Sequence, residues 1–413
     1  MSRMFRKLSQ VRSTKAIPMF SPVVSPGSHC PMHTAVSFGS LIQGLSTLVV
    51  GSAECTVYSR GPSSRRRGAY APEENVLNWS YMLSEDETVF GCHDGVKAAI
   101  EEMLDAGIQA LMVITTCIPH MTGEDIHGLC EEIAVRRNAK VFSVDVPHYT
   151  CIATSGGTRG ALTGLLGIME ERPLDAQRIN VLGAFRGAAL FPEMSDLLEA
   201  AGYTLLKTGT ADGVKDYITA PSARMNLVVS PQALDLAIGM QERFGTAYID
   251  LSAMLSYDDM IRGFAQLEKA LGVQAPDFSD RGAEIIKLEE KVLENMRGKR
   301  FALGSGASQT PLRAAYYLAG LGMIPAVLHI DDFYPGDEAV REALLEDGYD
   351  PIVAHMVSGE LDGGYINEIG VDVMIGGGSR GEDESVGFDR PIKLLNKCLG
   401  GGGKGNKYGT VSV

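Results

Sequence analysis

The chain has 413 residues, 45% of them hydrophobic, and a formal net charge of -14, which is too long for one ordinary core and apolar enough for two or three globular domains. The acidic balance argues against nucleic acid, whose phosphates would repel it, and gives no sign of a membrane surface. No run of roughly 18 uncharged apolar residues is present to span a bilayer, and the basic start MSRMFRKLSQVRSTK lacks the apolar centre of a signal peptide, so a cytoplasmic location is expected.

In chain order, a Pro-Gly turn at Pro26 and Gly27 leads to Cys30, ahead of a segment that reads as helical. The apolar run Leu48 to Val50 ends at Gly51, with Cys55 just beyond, and Val89, Phe90 and Gly91 precede Cys92. From Asp94 to Ala106 the spacing of Val96, Ile100, Met103 and Leu104 predicts a helix that stops at Gly107. Ala110 to Thr116 is a continuous apolar run of strand length, the pattern of a strand buried on both faces of a parallel sheet. Cys117 follows at its carboxyl end, the edge where ligands bind in open α/β sheets. Thr122 with Asp125 resembles a capping box opening a helix that carries Ile126, Leu129 and Ile133 on one side.

Beyond that point strands and helices alternate. Strand-like runs end near Cys117, Pro147, Arg186, Thr208, Ser230 and Leu251, and again near Gly304, Ile330, Val357 and Ile375. Helical patterns such as QALDLAIGMQERFG and EAVREALLEDG lie between, several closed by glycine. The rhythm predicts an α/β protein of three Rossmann-like domains with parallel sheets around a central cleft. The expected divisions are residues 1–175, 176–299 and 300–413, with a charged helix from Ala283 to Met296 joining the last two. FALGSGASQT places Gly304 and Gly306 after a strand but lacks the third glycine of a dinucleotide site. In the tail, Lys404 is followed by Gly405 rather than Ser or Thr, so no phosphate loop is expected there.

Seven cysteines in a long cytosolic chain are not a disulfide framework. Cys130 and Cys398 fall on helical stripes and read as small hydrophobes. Cys30, Cys55, Cys92 and Cys117 instead lie beside glycine, proline or strand ends. Three of them, Cys30, Cys55 and Cys117, come from separate loops, as a metal cluster folded between elements requires, and no ladder of closely spaced cysteines of the bacterial ferredoxin type is present. Zinc is the competing metal, through Cys30 with His33 and Cys117 with His120, although these pairs lie on a large scaffold that needs no metal to fold.

The order of these features resembles the nitrogenase component 1 superfamily: a Gly-Ser-x-Cys turn at Cys30, Gly-x-x-x-Cys ending at Cys55, VFG at Val89 to Gly91, then TTCIPHMTGEDI. The likeness continues through INVLGAFR, RMNLVVSPQALDLA and GKRFALGSG, and so covers most of the chain. That superfamily includes the molybdenum-iron protein subunits, their cofactor-assembly scaffold, dark-operative protochlorophyllide reductase and the reductive cyclase of coenzyme F430 synthesis. The resemblance implies a [4Fe-4S] or related cluster shared between subunits, held by Cys30, Cys55 and Cys117, with Cys92 as a possible local fourth ligand. It also implies a homodimer or a heterotetramer with a related chain, and an ATP-dependent iron-sulfur reductase component that delivers electrons.

One departure from the family's pattern bears on function. Where nitrogenase proper has a cysteine anchoring its catalytic metal cofactor, this chain has Ser230, and IGGGSRGEDESVGFDRP offers no late histidine. A hydroxyl is a poor iron ligand beside a thiolate, so nitrogen fixation is not expected. The expected function is the catalytic component of a nitrogenase-like reductase, acting on a tetrapyrrole or metallocofactor in the cleft. Cleft positions expected to serve it are His148, Cys151, Arg186, Arg224, Ser230 and Asp331 with Asp332, Arg186 being suited to clamp a carboxylate. The alternative is a non-catalytic scaffold on which a metallocluster, an additional cofactor in the cleft, is matured and handed on.

Overall fold

The computed structural model describes residues 6–17, 19–20, 30–64, 76–147, 155–184, 191–208, 213–304, 306–356, 369–376 and 386–400. Three sheets organise it. The first runs β4 (Asn78–Met82), β3 (Leu45–Gly51), β5 (Ala110–Thr115), β6 (Lys140–Asp145), all parallel. The second runs β10 (Ala247–Asp250), β9 (Ala223–Val228), β7 (Asp175–Leu182), β8 (Thr204–Lys207), again parallel. The third runs β13 (Ile352–Met356), β12 (Ile324–His329), β11 (Arg300–Leu303), β14 (Val373–Ile375). The expected α/β class with parallel sheets is what forms. Among the described residues no helix is long and apolar enough to cross a membrane.

The periodicities act as expected. β5 is buried at every position, and the helix before it runs His93–Asp105. The joining helix is longer than its expected core, Ser279–Met296, and buries Ile285, Val292 and Met296. The apolar cores are continuous between sheets. Phe142 of β6 belongs to one core with Val228 and Leu236, while Ile179 and Leu227 share another with Phe301 and Leu328.

Two features were not anticipated. The segment at 6–20, placed by sequence in the first division, belongs to the third sheet: β1 (Arg6–Lys7) pairs antiparallel with β13 and β2 (Met19–Phe20) pairs parallel with it. The buried Arg341 fixes this strap, its guanidinium donating to the carbonyls of Leu8, Ser9 and Val11. The Thr122 to Asp125 capping box is also corrected. Thr122 instead closes a short helix, and Asp125 alone caps the next, accepting from the Gly128 amide at 2.8 Å.

The three sheets meet at Arg159. Its Nε donates to Asp235, after β9, and its Nη1 to Asp332 (3.0 Å) and the Phe333 carbonyl (2.8 Å), after β12. Tyr334 lies under the guanidinium, 5.4 Å from ring centre to Cζ. Burial opposes the charge, but the two carboxylates more than offset it and raise the Arg159 pKa. Thr14 of the strap donates to the same Asp332.

Candidate functional site

In the first sheet the chain leaves β3 toward β4 on one side and later returns through β5 on the other. The crevice beyond the carboxyl ends of β3 and β5 is therefore the topological switch point, where open α/β sheets bind ligands. Cys55 follows β3 and Cys117 follows β5. Cys117 is the first residue of α5 (Cys117–Thr122), and its cap residue Thr116 is anchored by donating to the Val50 carbonyl at 2.8 Å. Cys55 lies in the first turn of α2 (Ala53–Ser64), where the Ser52 hydroxyl reaches its sulfur at 3.7 Å.

Gly51 shows how closely these two ends approach. A Cβ there would stand 2.2 Å from Thr116 Oγ1 and 3.0 Å from Cys55 Cβ, so no larger residue fits between them. Cys30 is the cap residue of α1 (Pro31–Gly39), with Pro31 in the first helical position. That helix packs against α2, where the His33 and Tyr58 rings stand 5.9 Å apart, and against the helix Ser155–Gly164. The latter approach is so close that a Cβ on Gly157 would meet the Pro31 carbonyl at 1.8 Å.

Three half-buried thiols thus stand at three helix amino ends around one sheet edge. The helix amino ends favour negative charge there, as an anionic cluster would bring. Thiolates are the usual ligands of iron-sulfur clusters, so three thiols at this edge are the donor type such a group takes.

Cys92 is placed differently. It is buried with Leu48, Val50, Val96 and Ile100, while Cys30 and Cys55 pack against Met32, Val49 and Ile114, the opposite face of the same sheet. Burial first, then the charges of Glu124 and Glu87, push its thiol up to about 11. Cys92 thus sits on the other face of the sheet from Cys30 and Cys55, buried among apolar side chains.

The expected cleft positions divide. His148, Cys151 and Arg186 lie outside the described residues, as does the glycine-rich tail. Arg224 is corrected: it stands exposed at the amino end of β9, away from the cleft, and donates to the Ala270 carbonyl at 3.0 Å. Arg224 is the second residue of β9, at the edge opposite the carboxyl ends that face the cleft. Ser230 is buried just past β9, close against Gly183 at the end of β7. Asp331 accepts from or shares a proton with His329 Nε2 at 2.7 Å. Sequence reasoning missed Arg159 and His329. The first was hidden in a glycine-rich stretch whose partners are remote in sequence.

Asp337 lies beside this cleft, buried, accepting from the Tyr334 amide at 2.9 Å. Burial pushes its carboxyl up to about 6, against the pull of that amide and of Arg313. Because the folded value exceeds the unfolded one, this group's contribution is fully present below about pH 4 and is lost as pH rises through about 6. Asp337→Asn should therefore gain stability relative to wild type between pH 4 and pH 7, on the order of 2 kcal/mol. Urea unfolding at the two pH values measures it, and an unchanged difference would contradict the buried-acid assignment.

The family model "Nitrogenase component 1 type Oxidoreductase" matches residues 30–388. The chain belongs to that family. It is similar to the nitrogenase iron-molybdenum cofactor biosynthesis protein NifE of Clostridium pasteurianum, 24% identical over 75% of this chain and 70% of that one. The nitrogenase molybdenum-iron protein alpha chain of Methanosarcina barkeri is 25% identical over 64% of this chain and 49% of that one. Among solved structures, nitrogenase Cp1 at pH 6.5 superposes with a TM-score of 0.69 at 18% identity, covering 93% of this chain and 94% of that one. The family resemblance drawn from the cysteine order and the Thr-Gly-Glu-Asp segment is thereby shown, and the fold agrees over nearly the whole length.

Proposed function

We propose that this member of the nitrogenase component 1 family is a cofactor-assembly scaffold. It shares an iron-sulfur cluster with a partner chain through Cys30, Cys55 and Cys117 and holds a metallocofactor or its precursor in the central cleft for transfer. The observation that carries the reading is the convergence of three thiols, each at a helix amino end, on the switch point of one sheet. Bound there, the cluster would supply storage and relay of single low-potential electrons. The chain's own residues place the thiols at the helix amino ends and, by the bare Gly51, let the ends of β3 and β5 approach closely. Three thiols leave a coordination position for a partner, in a homodimer or a heterotetramer with a related chain. Apolar side chains exposed on the same elements, among them Val57, Tyr58 and Met121, suit such a contact.

Two observations favour a scaffold over a catalyst. Several of the similar proteins are named for cofactor biosynthesis. The buried Ser230 past β9 offers a hydroxyl where tight iron anchoring needs a thiolate, and a cargo without that anchor is released more readily. Protein isolated from cells making the cargo should carry iron beyond the shared cluster and lose it to an acceptor protein. Iron confined to the shared cluster during steady substrate reduction would overturn the scaffold in favour of a reductase.

The reductase reading keeps one specific support. Val89 and Phe90, before Cys92, are 71% and 84% exposed and form an apolar knob on the cysteine side of the sheet, suited to docking an ATP-dependent iron-sulfur reductase component. On that reading, oxidation of the partner's cluster on mixing requires ATP, and this chain alone hydrolyses none. The reduced molecule is then a tetrapyrrole or metallocofactor. ATP hydrolysis by the isolated chain would count against it.

A further inference from the structure

Among the three thiols at the sheet edge, Cys55 has a polar neighbour held in place by the main chain. Ser52 directly precedes α2, and its carbonyl accepts the first helical bond, from the Thr56 amide at 3.1 Å. The backbone that leads to it is fixed from both sides. The Thr116 amide and hydroxyl donate to the Val50 carbonyl at 3.1 and 2.8 Å, and the Leu83 amide donates to the Gly51 carbonyl at 3.0 Å. From this place the half-buried Ser52 hydroxyl donates to Cys55 Sγ at 3.7 Å.

The hydroxyl has one proton to give and two acceptors within reach. It also serves the Glu54 carboxylate, which it holds below the usual carboxylate range. Exposure decides between them. Glu54 lies at the surface and can turn to water, whereas Cys55 is half-buried and, as a ligand, carries thiolate charge at a fixed place. A donor to a ligating sulfur acts on potential. An electron added to an iron-sulfur cluster increases the negative charge on its sulfurs, so such a hydrogen bond strengthens on reduction and favours the reduced state. The oxygen keeps its proton throughout, and the change remains a one-electron step.

We propose that Ser52 is a positioning residue of the shared cluster, its hydroxyl donating to the sulfur of ligated Cys55 and raising the cluster's reduction potential. This role rests on the cluster proposed above, and adds a side chain outside the ligand set that makes it easier to reduce. A serine before α2 also suits a helix cap. The two roles differ in what they tolerate. A cap survives replacement by glycine at little cost but suffers with alanine, whereas a bond to sulfur is lost with either, since neither carries a hydroxyl.

The test is a mediated redox titration of the full chain, anaerobically reconstituted with iron and sulfide and followed by paramagnetic resonance. Ser52→Ala should lower the midpoint potential. At the wild-type midpoint the ratio of reduced to oxidised cluster should fall about fivefold, the scale of one hydrogen bond that strengthens with charge. Iron and sulfide content should stay at the wild-type level. Ser52→Gly should lower the potential as far as Ser52→Ala, and Ser52→Thr, which keeps the hydroxyl, should titrate with wild type. Thermal unfolding should sort the variants differently, with Ser52→Gly close to wild type and Ser52→Ala earlier. In deuterated water, pulsed resonance should show an exchangeable deuteron near the cluster in wild type and Ser52→Thr that is missing from Ser52→Ala and Ser52→Gly. The proposal is overturned by an unchanged potential in Ser52→Ala, by a potential that follows the unfolding temperature so that Ser52→Gly restores it, or by a deuteron signal that survives loss of the hydroxyl. Wild type that takes up neither iron nor sulfide removes the cluster itself, and the role of Ser52 with it. Loaded wild type whose potential is indifferent to Ser52 removes that role alone.

Discussion

Replacing Cys117 with alanine should abolish the shared cluster. Cys117 follows β5 directly, and its position is fixed by the Thr116 hydroxyl on the Val50 carbonyl and by the contact across Gly51. Cys30→Ala and Cys55→Ala should act likewise, since each thiol stands at a separate helix amino end and none duplicates another. The expected result is bleaching of the brown protein and loss of its reduced-state signal, together with a weaker assembly, because the cluster joins two chains. Cys92→Ser and Cys130→Ser should both be silent, as each thiol is buried with its proton retained. A changed spectrum in Cys92→Ser alone would make Cys92 the local fourth ligand.

Replacing Arg159 with alanine should be the largest single-site loss of stability away from the cysteines. Removal strands Asp332, 4% exposed, together with Asp235, and deprives the Phe333 carbonyl of its donor. Breaking a buried pair by deleting one partner costs about 3–5 kcal/mol, chiefly because charge is left uncompensated. Arg159→Lys should recover only part of this, since one ammonium cannot reproduce the fork that reaches three acceptors. Adding Asp332→Asn to Arg159→Ala should restore stability by removing the stranded charge. A lowering of the urea midpoint equally large in Arg159→Ala with and without Asp332→Asn would show that the hub acts through packing alone.

Much of the fold was legible because local rules agree with tertiary ones. β5 reads as buried on both faces and is so, and the glycines at 107, 245 and 272 close helices in the left-handed conformation that only glycine adopts at low cost. The cysteine edge was legible for the same reason, since a strand end followed by a helix start can be read from short-range pattern. What escaped depends on distant partners. β4 alternates between exposed and half-buried positions at a sheet edge, a weak signal. The strap at 6–20 forms because Arg341 and β13 receive it across the whole chain length. Arg159 lies in SGGTRGALTG, a poor helical sequence on propensity, and is defined by partners 76 and 173 residues away.

The central claim, a cluster held by Cys30, Cys55 and Cys117 between chains, is tested most directly by metal and sulfide analysis of the anaerobically purified, reconstituted protein. Paramagnetic resonance after dithionite reduction completes the measurement. Iron and acid-labile sulfide in equal amounts, with a [4Fe-4S] signal in the assembled protein, is the predicted result. Stoichiometric zinc with neither iron nor sulfide would contradict it.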